Sequence, residues 1–133
     1  MDYTSARAEL LGRPGRPTAA RRRALVGLTD DWLQELYVNA GADPQRTALV
    51  AVGGYGRGTL SPASDLDLVL IHEPRADVTG IADKIWYPIW DSGMRLDHSV
   101  RTVAEARRLA GQDLKVVLGI LDVRTIAGND ELT

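Results

Sequence analysis

Residues 65–71 read Asp-Leu-Asp-Leu-Val-Leu-Ile, two acids set alternately into an aliphatic run. A period of two is the mark of a strand. Leu66 and Leu68 then point into a core and anchor the strand, while Asp65 and Asp67 project together from the other face. Two neighbouring carboxylates repel unless a cation lies between them. Acids on such an apolar strand are also expensive without compensation. Magnesium takes oxygen ligands and bridges carboxylates to substrate phosphates, so the pair suits a metal–nucleotide site.

The surrounding pattern supplies the elements around this strand. Thr18 caps a helix whose apolar residues Leu25, Leu28, Trp32, Leu36 and Tyr37 recur at helical spacing, and Gly41 ends it. Asp43-Pro44 marks a turn, and residues 47–52 (Thr-Ala-Leu-Val-Ala-Val) read as a buried strand. Pro74 closes the acid-bearing strand. Residues 77–91 follow a helical pattern through Val78, Ile81, Ile85, Ile89 and Trp90, disturbed at Pro88 and stopped by Gly93. Residues 94–101 are a third strand. Thr102 and Glu105 form a capping box for a helix that Gly111 ends. Asp113 caps a last helix with Leu114, Val117, Leu118 and Leu121 on its core face, ending near Gly128. The expected order is α-β-β-α-β-α-α, an α/β fold with a small mixed sheet flanked by helices. Residues 1–17 read as a flexible lead-in, since Gly12–Pro17 (GRPGRP) interrupts any regular ladder, and residues 18–133 as one domain.

Between the first two strands lies a glycine-rich connection, Gly53 to Ser64. Gly53 and Gly54 stand where the first strand ends. Lacking a β-carbon, they let the backbone approach a triphosphate and offer N–H donors to it. A short helix starting near Tyr55 would add its positive end. Ser64 directly precedes the acids and is placed to donate its hydroxyl to a phosphate oxygen. Arg57 is a second phosphate candidate, though an exposed loop arginine is equally expected. Gly-Gly and Asp-x-Asp are weak signals separately. Their joint occurrence at this spacing is specific.

Composition narrows the function classes. A net charge of −2 provides no basic field for nucleic acid or an anionic membrane. Cysteine is absent, which excludes disulfides, thiolate metal sites and a cysteine nucleophile. The longest apolar runs are too short to span a bilayer, and residues 1–11 lack a signal-peptide core. A cytoplasmic protein is the expectation.

The pattern Gly53-Gly54 followed by Ser64-Asp65-Leu66-Asp67 resembles the signature of the nucleotidyltransferase superfamily that includes DNA polymerase beta. Within that superfamily, residues 53–58 (Gly-Gly-Tyr-Gly-Arg-Gly), 60–62 (Leu-Ser-Pro) and 64–68 (Ser-Asp-Leu-Asp-Leu) resemble the bacterial PII uridylyltransferase and uridylyl-removing family. Trp90-Asp-Ser-Gly93, residues 98–102 (His-Ser-Val-Arg-Thr) and Leu121-Asp-Val-Arg124 with Ala127-Gly128 match it again. The resemblance implies a polymerase beta-like fold, magnesium as cofactor, and transfer of UMP from UTP to a tyrosine of the PII signalling protein. Some relatives use ATP and adenylylate the partner instead. Full-length members add a metal-dependent HD hydrolase domain and two ACT domains. The only histidines here are His72 and His98. Removal of the nucleotide is therefore not expected on this chain, which reads as a fragment of a longer protein. The alternatives are another member of the superfamily, or a nucleotide-binding regulatory module without catalysis.

Members of the superfamily commonly complete the Asp-x-Asp pair with an acid from a neighbouring strand. Asp91, Asp97, Asp113 and Asp122 are the candidates by position. Asp91 ends a helix, Asp113 caps one, and Asp122 sits on the last helix before Arg124. Asp97 alone lies mid-strand, where alternation puts it on one face with Ser99 and Arg101, and it is the expected third metal ligand. Arg101 is then placed to pair with a phosphate or to hold Asp97. His98, on the opposite face, reads as a packed, hydrogen-bonded side chain, Trp86 and Trp90 as core packing, and Arg21-Arg22-Arg23 as a solvated helix face.

Overall fold

The computed structural model of the chain describes residues 3–12, 18–52, 55, 66–74, 76, 78, 80–112 and 124–129. Among these, the elements run α1 (Tyr3–Leu11), α2 (Ala19–Asn39), β1 (Thr47–Ala51), β2 (Leu66–His72), α3 (Ile81–Asp91), β3 (Leu96–Thr102), α4 (Val103–Gln112) and β4 (Arg124–Gly128). The four strands form one mixed sheet in the order β3-β2-β1-β4. β1 pairs antiparallel with both β2 and β4, and β2 pairs parallel with β3.

Local signals in the sequence account for most boundaries. The Thr18 hydroxyl accepts the Arg21 N–H at 3.1 Å, capping α2. Thr102 and Glu105 close a reciprocal capping box, with the Thr102 N–H on Glu105 Oε1 at 3.0 Å and the Glu105 N–H on Thr102 Oγ1 at 3.1 Å. α2 buries Leu25, Thr29, Leu33 and Tyr37, one residue per turn. The hydroxyl of Thr29 is satisfied by the Leu25 carbonyl at 2.8 Å.

Alternation divides the sheet. Leu49 and Ala51 of β1 and Leu66, Leu68 and Leu70 of β2 join Leu25 and Leu33 of α2, Ile85, Trp86 and Ile89 of α3, and Ile126 of β4 in the main core. Ala48, Val50 and Ile71 face the other way into a smaller cluster, completed by Val69 and by Val103 and Ala106 of α4.

Two expectations are corrected. The lead-in is not irregular throughout, because residues 3–11 form α1, which buries Tyr3 and Leu10. The Tyr3 ring stacks on Trp32 with centroids 4.0 Å apart, and its hydroxyl meets Thr29 Oγ1 at 2.8 Å. Apolar anchors at the two ends of a short helix outweigh a weak periodic signal. Residues 13–17 lie outside the described residues. The last helix does not reach Gly128 either: Arg124–Gly128 is strand β4, added to the free edge of β1. Gly128 has φ +95°, and a β-carbon there would lie 2.3 Å from the Thr47 carbonyl oxygen. The close approach of two strands explains this glycine, not a helix end. Residues 113–123, where that helix was expected to begin, lie outside the described residues.

Candidate active site

Asp67 and Asp97 are register partners across the parallel β2–β3 pair. Directly opposed residues of neighbouring strands share a face, and the strands lie about 4.8 Å apart. Asp67 is half-buried and Asp97 exposed. Both belong to the face opposite Leu66, Leu68 and Leu70. The Val52 N–H donates to the Asp67 carbonyl at 3.0 Å, and the Leu66 N–H to the Arg95 carbonyl at 3.0 Å. The backbone around Asp67 is thus tied on both sides, and the end of β1, where Gly53 follows, is tied to Asp67 itself.

Of the residues expected at the site, the structure brings Asp67 and Asp97 together. Asp65, Gly53, Gly54, Arg57 and Ser64 lie outside the described residues. Among the described residues no group of three acids or histidines is arranged to hold a metal. Carboxylate oxygens on adjacent strands are nevertheless the hard donors a divalent cation takes, so the chemistry of this pair fits such an ion. Arg101 shares the face of Asp97 but stands four residues further on, about 13 Å along a strand that rises ~3.3 Å per residue. Its charge acts on Glu105, whose carboxyl is held below the usual range mainly by the backbone and side chain of Thr102. Arg101 therefore lies at the α4 end of this face, away from the acids.

The opposite face carries His98, as alternation requires. Its side chain is exposed rather than packed inside: the imidazole lies 5.2 Å from the buried Trp86 ring and 5.1 Å from that of Trp90. Trp90 is 41% exposed, so of the two tryptophans only Trp86 is a core residue. Helical spacing four apart put both on one side of α3, but the helix ends at Asp91, where the core does too. His72 is occupied with the Glu73 carbonyl at 2.8 Å.

Sequence reasoning missed one cluster beside the site. Tyr55, which directly follows Gly53-Gly54 and is itself helical, is only 1% exposed. Its hydroxyl donates to Asp30 Oδ1 in a short hydrogen bond. Arg124 binds the same carboxylate through both terminal nitrogens, at 2.5 and 3.2 Å, and its Nη2 also donates to the Tyr55 carbonyl at 3.1 Å. The guanidinium carbon stands 5.0 Å from the centre of the Tyr55 ring. Burial first, and the Asp30 carboxylate second, push the Tyr55 hydroxyl far above its ordinary value, so it stays protonated and donating. No local spacing announces contacts between residues 30, 55 and 124.

A family of nucleotidyltransferase domains matches residues 39–119, which include β1, β2 and β3 and both described carboxylates. The chain belongs to this nucleotidyltransferase domain family, whose members generally use divalent metal ions. More narrowly, it is 56% identical, over 98% of its length, to the bifunctional uridylyltransferase/uridylyl-removing enzyme of Streptomyces coelicolor. It is 44% identical over 99% of its length to the enzyme of the same name from Mycobacterium tuberculosis, and 48% identical over 67% to that from Corynebacterium glutamicum. The chain spans 16%, 17% and 13% of these three relatives respectively.

Proposed function

We propose that residues 18–133 are the transferase unit of an enzyme that moves UMP from UTP to a tyrosine hydroxyl of the PII signalling protein in the cytoplasm. The observation that carries this reading is the registered pair Asp67–Asp97 on one face of a nucleotidyltransferase sheet. The names of the relatives favour uridylyl as the transferred group. Among the described residues no helix is long and apolar enough to cross a membrane, and a net charge of −2 gives nucleic acid no attraction.

In this reading the tyrosine oxygen attacks the α-phosphorus of the nucleotide. The bond to the bridging oxygen breaks, pyrophosphate leaves, and the phenolic proton passes to solvent or base. Asp65, Asp67 and Asp97 would hold magnesium, which would supply positive charge against the phosphates and toward an acceptor phenol of ordinary pKa ~10. Gly53 and Gly54 offer backbone N–H groups to the phosphates, Ser64 its hydroxyl, and Arg57 its guanidinium. Arg101, at the far end of the face, can serve only a part of the substrate that extends beyond the acids.

Incubation of the protein with PII, magnesium and each nucleoside triphosphate in turn, followed by intact mass, tests the reading. A uridylyl increment on PII with UTP is expected. An adenylyl increment with ATP replaces the donor and keeps the enzyme class, whereas no increment with any nucleotide removes the transferase assignment. Asp97→Asn separates a three-carboxylate site from a two-carboxylate one. Magnesium-dependent turnover should collapse if Asp97 is a ligand and persist if it is not.

A further inference from the structure

The Asp30–Tyr55–Arg124 cluster is more elaborate than the burial of one tyrosine demands. Arg124 reaches past the side chain to the Tyr55 carbonyl, so the cluster grips backbone as well as ring. Its three members come from α2, from the chain after β1, and from β4, elements that the sheet and main core already hold together. What the cluster adds is a fixed position for Tyr55. Only two residues, Gly53 and Gly54, separate Tyr55 from Val52, whose N–H is bound to the Asp67 carbonyl. Consecutive Cα atoms are 3.8 Å apart. Both ends of the diglycine are therefore tied, one to the carboxylate strand and the other to the cluster.

We infer that Asp30, Tyr55 and Arg124 are positioning residues for nucleotide binding, holding the downstream end of the diglycine at a set distance from Asp67. The inference rests on the reading of Gly53-Gly54 as the phosphate-binding turn. Glycines give that turn close approach to phosphate but also freedom to wander. N–H donors bind a triphosphate well only when they are fixed before it arrives. Arg124 and Asp30 neutralise each other, so the cluster acts by geometry and presents no net charge to the ligand. The protonated Tyr55 hydroxyl keeps the arrangement intact at neutral pH.

The test is UTP binding with magnesium, and ATP in parallel, measured by calorimetry on the intact protein, with a thermal melt on each variant. Arg124→Lys keeps the charge but loses the two-pronged contact and the grip on the carbonyl. It should weaken nucleotide binding about tenfold. Tyr55→Phe keeps the buried ring and the Arg124–carbonyl bond, and it should weaken binding about threefold. In the pair Arg124→Lys with Gly54→Val, binding should be no weaker than with Gly54→Val alone, because both act through one turn. Wild-type affinity in Arg124→Lys and Tyr55→Phe, with only the melting temperature lowered, overturns the inference and leaves a structural cluster. Fully additive losses in the double variant overturn it as well. Wild-type affinity in folded Gly54→Val is a different failure: the phosphate-turn reading goes, and the positioning role goes with it. If Arg124→Lys does not fold, Tyr55→Phe alone decides by the same criterion.

Discussion

The two faces of β2 differ in what they face and in what they can tolerate. Leu66, Leu68 and Leu70 lie at 0–1% exposure beneath α2 and α3, in a core that draws on every strand pair. One residue out of step, Val69 and Ile71 pack, among the described residues, with Ala48 and Val50 of β1 and with Val103 and Ala106 of α4, and Asp67 lies on the same face. Dense cover is what apolar burial needs, since stabilisation grows with the area removed from water. A charged site has the opposite need, because an ion and a triphosphate must enter and their charges must not be stranded in a low dielectric. In the proposed reading a single strand serves both needs because its side chains alternate.

If the division is real, changes on the two faces should fail in different assays. The largest effect is expected for Asp67→Asn, which keeps the shape of the side chain and removes its charge. Transfer should drop by about 10²–10³-fold or more, while the melting temperature stays close to that of the parent. Ordinary turnover in this variant would erase the functional half of the comparison. Leu68→Ala, next along the strand, should do the reverse. A cavity in the main core should cost about 2–5 kcal/mol of stability, and the fraction that remains folded should bind nucleotide normally.

Burial also opposes the ionisation of three phenols, those of Tyr3, Tyr37 and Tyr55. Their folded pKa values lie above the ordinary 10.0, so the stability they lend is intact below pH 10 and is lost as pH rises beyond it. For the nearly inaccessible Tyr55 the loss approaches about 1.4 kcal/mol per pH unit. Phenolate absorbance should therefore appear together with unfolding in an alkaline titration. Phenolate appearing in a still-folded protein would show that these tyrosines are held more loosely than their burial implies. The smallest effect is expected at the start of α4. Thr102→Ala removes the cap of α4 and should cost about 1 kcal/mol. Because the Glu105 carboxyl is held below its ordinary 4.5, its share of the cap is present above that pH and fades as pH falls through the lowered value. The penalty of Thr102→Ala should accordingly shrink in acid, and a pH-independent penalty would detach Glu105 from the cap.

What could be read from the sequence followed the range of the interactions involved. The acid-bearing strand, the Thr18 cap and the Thr102–Glu105 box are set within a few residues, and alternation alone puts Asp97 and Arg101 on one face. Arg124–Gly128 was misread because its strand character depends on an edge of β1 that its own neighbours do not reveal. α1 was missed for the same reason, since its evidence is Trp32 and Thr29 on another helix. The site was legible as a motif but not as an assembly. Asp-x-Asp pointed to candidate carboxylates, of which Asp65 lies outside the described residues, whereas the hold on Tyr55 needed residues 25 and 69 positions away.

The bonding of β4 to β1 bears on how the chain is made. Ala48 pairs with Gly128, 80 residues later by subtraction (128 − 48). At about 5–20 residues per second on the ribosome, several seconds separate the appearance of the two partners. Through that interval β1 can pair with β2, but its second edge has no native neighbour. An unpaired apolar edge is a template for association with other chains. Newly made protein should thus be most vulnerable to aggregation before residue 128 has emerged, and a chaperone that shields Thr47–Ala51 should be needed for only those seconds.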